Sequence, residues 1–125
     1  MVVGIGTDLA EIARVRRSIE RFGDRFLERV YTPAEIAYCQ RKKNFAESFA
    51  ARFAAKEAGA KALGTGISHG VSWREFEVVR APSGQPSLVL SGRAAQIAHE
   101  RGVARIALSL THSGDTAMAI VIMEG

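Results

Sequence analysis

One short stretch of this chain carries side chains whose types and spacing suit chemistry. It runs Arg52-Phe-Ala-Ala-Lys-Glu-Ala-Gly-Ala-Lys61 and continues through Ala62 and Leu63 to Gly64-Thr65-Gly66. Read as a helix, it puts Phe53, Glu57 and Lys61 on one face, each four residues from the next. An acid and a base one turn apart suit a metal-assisted phosphate site. They suit equally well a solvated ion pair of the i,i+4 kind, worth roughly 0.3–0.5 kcal/mol. Arg52 and Lys56 are expected to form a second charged edge on this Ala-rich helix. A further acid, Asp8, stands just past the apolar run Val2–Gly6, where it can bind a metal or cap the next helix. Mg²⁺ typically takes one or two carboxylates and completes its shell with water and phosphate oxygens. Asp8 and Glu57 are therefore the candidate pair. His112, flanked by Thr111 and Ser113, sits where a strand becomes a turn, a place that often aims a polar group at a site. His69, in a Gly-rich loop, and His99, on a helix surface, are expected to be solvated. Gly64-Thr65-Gly66 follows its helix rather than preceding one, so it reads as a helix stop and not as a phosphate cradle.

The elements that must position these groups follow from periodicity and turn chemistry. Val2–Gly6 reads as a buried strand with Asp8 beyond its end. Ile12, Val15, Ile19, Phe22 and Phe26 keep helical spacing and form a core stripe, with Gly23 breaking or kinking the helix. Arg14, Arg17, Arg21 and Arg25 form a second stripe on the other side. Thr32-Pro33-Ala34-Glu35 is a capping box with proline in the first turn, and its helix fades by Arg41–Lys43. Asn44-Phe-Ala-Glu47 offers another capping box before the longest helix, expected over Phe45–Leu63 with Gly64 as its stop. Val71–Arg80 and Ser87–Leu90 read as a hairpin across Pro82–Pro86. Ser91 caps a helix reaching about Arg101. Ala104–Thr111 and Thr116–Met123 form a second hairpin around His112–Asp115. This order predicts an α+β fold, a small, mostly antiparallel sheet packed against a long helix.

With 125 residues, 47% of them hydrophobic, the chain has material for one domain with a modest core. No run approaches the ~20 apolar residues of a membrane span. The first residues, with no basic segment and an acid at Asp8, do not read as a signal peptide. The lone Cys39 forms no intramolecular disulfide; it reads as a small buried hydrophobe and fits a reducing cytoplasm. A net charge of +4 favours anionic partners. Exposed aromatics interleaved with Lys and Arg are lacking, which weighs against a nucleic-acid-binding module. The arginine stripe needs water or an acidic counterpart, and arginine suits planar recognition of carboxylates.

Three segments, taken together, resemble the holo-[acyl-carrier-protein] synthase family, the small bacterial 4′-phosphopantetheinyl transferases. They are Gly4-Ile-Gly-Thr-Asp8, the Arg52–Gly66 segment, and Ser109-Leu-Thr-His112 before an Ala-rich last strand. The resemblance spans essentially the whole chain. Two departures are Thr7, where an aliphatic residue is more usual, and Gly59, which should cost about 1 kcal/mol against Ala in mid-helix. The resemblance implies transfer of the phosphopantetheine arm of coenzyme A to a serine of apo acyl carrier protein, releasing adenosine 3′,5′-bisphosphate. It implies that Asp8 and Glu57 bind Mg²⁺, with Lys61 placed to neutralise a phosphate or the departing oxygen. As the base that takes the serine proton, Glu57 and a water bound to the metal both stay open. Arg52 and His112 are implied as phosphate contacts of coenzyme A, and the Gly84-Gln85-Pro86 turn as a neighbour of its adenine. Arg14, Arg21 and Arg25 are implied to dock the acidic carrier protein, with Arg17 a looser match. The family is also trimeric, with its site between subunits, which suits a chain offering little concave surface for so large a ligand.

Overall fold

A computed structural model describes residues 1–125. The chain runs β1 (Val2–Glu11), α1 (Ile12–Phe22), α2 (Asp24–Val30), α3 (Pro33–Gln40), α4 (Phe45–Leu63), a 3₁₀ turn (Trp73–Glu75), β2 (Phe76–Arg80), β3 (Pro86–Leu90), α5 (Gly92–Glu100), β4 (Arg105–Ser113) and β5 (Thr116–Glu124). All strand pairs are antiparallel: β1-β5-β4 form one sheet and β2-β3 a hairpin of their own. This is the expected α+β arrangement, with α4 at its centre.

Helix α4 has three faces with three tasks. Ala46, Ala50, Ala54, Ala58 and Ala62 recur every four residues and are all buried. Side chains this small let the helix lie directly on the sheet. Strand β1 answers with glycine: a Cβ at Gly4 or Gly6 would collide with the carbonyl oxygens of Ala62 and Ala58. A second face, with Phe49, Arg52, Lys56, Gly59 and Leu63, is also buried. There the departure at Gly59 finds its reason, since a Cβ at that position would sit 2.9 Å from both Phe76 and Leu88 of the β2–β3 hairpin. Propensity is given up for close packing. The charged edge expected from Arg52 and Lys56 is therefore not a surface feature. The third face carries Phe53, Glu57 and Lys61 and is the least buried.

Several boundaries differ from the sequence expectation. β1 does not stop at Gly6; it continues to Glu11, and Asp8 lies inside it, opposite Ala119. The strand alternates rather than running apolar: Gly4, Gly6, Asp8 and Ala10 point toward α4, while Ile5, Thr7 and Leu9 point outward. Gly23, at φ +56°, separates α1 from α2, so Arg25 leaves the α1 stripe and sits on the next helix. The Thr32–Glu35 capping box is present in full. Asn44 makes no side-chain cap, and its expected partner Glu47 turns instead to His112. Ser91 makes none either; the Glu75 carboxylate accepts from the Ala94 N–H in its place. The Val71–Arg80 strand shortens to Phe76–Arg80 behind the 3₁₀ turn. α4 ends at Gly64 in the left-handed conformation, as expected of a helix stop.

The outer face of the three-stranded sheet has no layer over it. Its rungs are Ile5–Ile122–Ala107, Thr7–Ile120–Ser109 and Leu9–Met118–Thr111. Ile5 is 62% and Leu9 66% exposed. No helix of the chain is long and apolar enough to cross a membrane.

Candidate active site

Asp8 and Glu57 line one cavity of ≈ 470 Å³ between β1, α1 and α4, together with Leu9, Ala10, Glu11, Arg14, Val15, Ser18, Phe26 and Phe53. Asp8 arrives there from the inward register of β1 and Glu57 from the third face of α4. Each carboxylate is anchored through one oxygen. Lys61 Nζ donates to Asp8 Oδ1 at 3.0 Å and to the Thr7 carbonyl at 3.0 Å. The Trp73 indole N–H donates to Glu57 Oε2 at 3.0 Å. Glu57 and Lys61 therefore do not form the i,i+4 pair that their spacing allows; each turns to a different element. Asp8 Oδ2 and Glu57 Oε1 remain without a hydrogen bond to protein. No group of three His, Cys, Asp or Glu side chains in the chain is placed to hold a metal ion. A pair of carboxylates with free oxygens on one cavity fits a hard cation that takes the rest of its shell from water and phosphate, as Mg²⁺ does.

Arg14 borders this cavity and also a neighbouring groove of ≈ 510 Å³ lined by Arg17, Ser18, Glu20, Arg21 and Phe22. Arg14, Arg17, Arg21 and Arg25 make no salt bridge within the chain. Arg25, displaced onto α2 by the Gly23 break, does not line the groove, whereas Arg17 does. Phe22 is half exposed under the Arg21 guanidinium, which lies 5.2 Å from its ring centroid.

Arg52 and His112 meet elsewhere, in a recess with Glu47, Ser48, Ala51, Arg80, Leu110 and Thr111. Arg52 is 3% exposed. Its Nη1 donates to the Ser48 carbonyl at 3.3 Å and its guanidinium lies 4.4 Å from the Tyr38 ring centroid. Its Nε is buried without a hydrogen-bond partner. His112 Nε2 lies 3.0 Å from Glu47 Oε1. Burial pushes the Tyr38 hydroxyl up, but the hydrogen bond with Lys42 and the Arg80, Lys42 and Arg52 charges outweigh it and leave it below its ordinary value. That direction marks the surroundings as electropositive. Arg80 also donates to the Gly84 carbonyl. It thereby ties the Gly84–Pro86 turn to the recess that holds Arg52 and His112.

The cavity and the recess lie on opposite edges of the sheet. Asp8 pairs with Ala119 and Ala119 with Leu110. Two strand spacings, roughly 10 Å, separate the β1 backbone from that of β4. Three residues here escaped the sequence reading. Arg80 ends a hairpin strand and belongs to no motif. Glu47 looked like a cap. Trp73 stood out only as the sole tryptophan, although an aromatic amid Ser72, Arg74 and Glu75 was a usable signal.

A family model described as the 4′-phosphopantetheinyl transferase superfamily matches residues 4–121. The chain is 58% identical over 124 residues to a holo-[acyl-carrier-protein] synthase of Solibacter usitatus, covering 99% of each. Among solved structures, the holo-[acyl-carrier-protein] synthase of Neisseria meningitidis superimposes with a TM-score of 0.90 at 37% identity over 100% of both chains. That of Helicobacter pylori, solved in complex with coenzyme A, gives 0.85 at 32% identity over 96% of this chain and 99% of its own.

Proposed function

The chain belongs to the 4′-phosphopantetheinyl transferase superfamily, and from that membership we infer that it moves the 4′-phosphopantetheine arm of coenzyme A to a serine of apo acyl carrier protein. The serine oxygen forms a new bond to the phosphorus that bears the arm, and adenosine 3′,5′-bisphosphate departs. Such transfers depend mostly on positioning and charge neutralisation. The observation that carries this reading is the cavity itself. Asp8 and Glu57, each with a free oxygen, line it, and Arg14 borders both it and the neighbouring groove of arginines that make no salt bridge.

Asp8 and Glu57 would hold Mg²⁺, which when bound would supply positive charge to offset that on the diphosphate. Lys61, half exposed and already on Asp8, is within reach of a phosphate in the same place and acts as a second positive charge there. Arg52 and His112, which line one recess, bind a phosphate of coenzyme A, and Arg80 joins them. The Gly84–Pro86 turn borders the adenine. Arg14 and Arg21, with Arg17 beside them, receive the acidic carrier protein, and Arg25 extends that surface onto α2. The partners are thus the carrier protein and coenzyme A, with no part for nucleic acid or membrane, in the reducing cytoplasm where a lone thiol is at home.

We read the working form as a homotrimer. The carboxylate cavity and the cationic recess lie on opposite edges of one sheet, so a single ligand joins them most simply across two copies. The open apolar face of β1, β5 and β4 offers such copies a surface to share, and the family resemblance supplies the number three. The test is to incubate the protein with apo carrier protein, coenzyme A and Mg²⁺ and weigh the carrier. A gain of one phosphopantetheine that disappears with a chelator is expected. No gain under any metal condition would overturn the reading.

A further inference from the structure

Glu57 and its neighbour in sequence, Lys56, both grip the same residue from different sides of α4. Lys56 Nζ is fully buried and donates to Glu35 Oε1 at 2.7 Å, to the Phe76 carbonyl at 2.8 Å and to the Trp73 carbonyl at 3.3 Å. Glu35 is equally committed: its Oε1 also accepts from the Thr32 N–H at 2.9 Å, and its Oε2 from the Val78 N–H at 2.8 Å. The pair thus clamps the 3₁₀ turn and the start of β2 against α4. From that clamped turn the Trp73 side chain reaches back to Glu57. The indole is held on its faces too. It stacks on Phe53 at 6.4 Å between centroids and 29° between planes, and the Arg29 guanidinium lies 5.8 Å from its centroid.

We propose that Trp73 is a positioning residue for Glu57. Its N–H occupies Oε2 and turns Oε1 toward the cavity, while the buried Lys56–Glu35 pair keeps the indole in place. The proposal rests on Glu57 being a cation ligand. An indole suits the task because it only donates. It stabilises the ionised carboxylate without competing for a cation, and a rigid ring fixes the direction of the remaining lone pairs. Partners of this kind orient ligating groups, and their loss typically weakens metal binding about 10–100-fold. A tryptophan placed merely for packing would give its N–H any convenient carbonyl. Here it meets Glu57, a carboxylate that lines the cavity.

Trp73→Phe isolates the donor, since it keeps an aromatic ring on Phe53 and removes the N–H. Mg²⁺ is titrated calorimetrically into the protein with coenzyme A bound, and the denaturation midpoint is measured beside it. The expected result is Mg²⁺ binding about 10-fold weaker, with a midpoint close to that of the unsubstituted protein. Because Trp73 is the only tryptophan, its fluorescence is a direct readout: in the unsubstituted protein the emission should change with Mg²⁺ at the calorimetric midpoint. Unchanged affinity in Trp73→Phe, with emission indifferent to Mg²⁺, overturns the proposal. Glu57→Ala separates the two levels of the argument. If it binds Mg²⁺ as well as before, the cation-ligand reading fails and the positioning role with it. If it loses Mg²⁺ while Trp73→Phe does not, only the positioning role fails.

Discussion

Two lysines on one helix, five residues apart, each sit 3.0 Å or less from a carboxylate, and the two pairs do opposite things. Lys56 and Glu35 have side chains 0% and 1% exposed, and both groups spend their hydrogen-bonding capacity on protein. Lys61 and Asp8 have side chains 54% and 17% exposed, and Asp8 retains a free oxygen on a cavity. The first pair fastens four elements to one another: α3, α4, the 3₁₀ turn and β2. The second leaves both charges available to a ligand. An ion pair saturated by its own chain is architecture, whereas one that is half satisfied and reachable is ready for chemistry. Burial depresses the Lys56 ammonium below its ordinary range despite the nearby Glu35 charge, so desolvation is the larger influence on that side of the helix.

The sharpest way to break this contrast is Lys56→Met. It leaves Glu35 buried without its cation, and losing one member of a buried pair typically costs about 3–5 kcal/mol. Chemical denaturation should show a loss of that size, and the Glu35→Gln, Lys56→Met double variant should recover part of it. A cost under about 1 kcal/mol would place the pair with surface ion pairs and dissolve the distinction.

Alkali should find the buried side first. Cys39 is buried, and its thiol is pushed from 9.0 up to about 11 by desolvation, with the nearby Glu35 charge adding to it. A group that ionises later in the fold than in the unfolded chain stabilises the fold fully below pH 9. That contribution is lost as pH climbs from 9 to 11 and amounts to about 2–3 kcal/mol. Lys56 acts with the opposite sign below its ordinary value, so the measurement is a difference. Stability-against-pH curves of the unsubstituted protein and Cys39→Ala should converge across that window, and parallel curves would sink the idea.

The smallest change in stability belongs to the exposed pair. Lys61→Met should change the unfolding free energy by no more than about 1 kcal/mol. Transfer to the carrier protein should nevertheless fall on the order of 10²-fold in kcat/KM, the scale of one lost charge-stabilising group. If stability falls and turnover does not, Lys61 is architecture after all.

Much of the frame was legible because it rests on local rules. The Thr32–Glu35 box, the extent of α4, the Gly64 stop, the Gly23 break and the final hairpin all depend on residues within a few positions of one another, although His112, expected in that hairpin's turn, lies inside β4 opposite Ala117. The misses share a cause. Asn44 and Ser91 have the right type for caps, yet the Ala94 N–H after Ser91 goes to the Glu75 carboxylate, and the Glu47 side chain after Asn44 goes to His112. Asp8 looked like the end of a strand because Gly4 and Gly6 disguise an alternating pattern; those glycines exist to admit α4, which lies more than forty residues away. Glu57 and Lys61 had the spacing of a pair, but Trp73 and Asp8 outcompeted it.

From sequence alone came the family, the α+β element order and the short set of side chains able to hold a cation and phosphates, because these follow from residue type, period and motif order. Tertiary structure decided what each charge is for. Lys56 and Lys61 are the same side chain on the same helix, and only the elements packed around them separate a buried clamp from an open site. Desolvation and hydrogen-bond saturation, which make that difference, are properties of surroundings that no local spacing records.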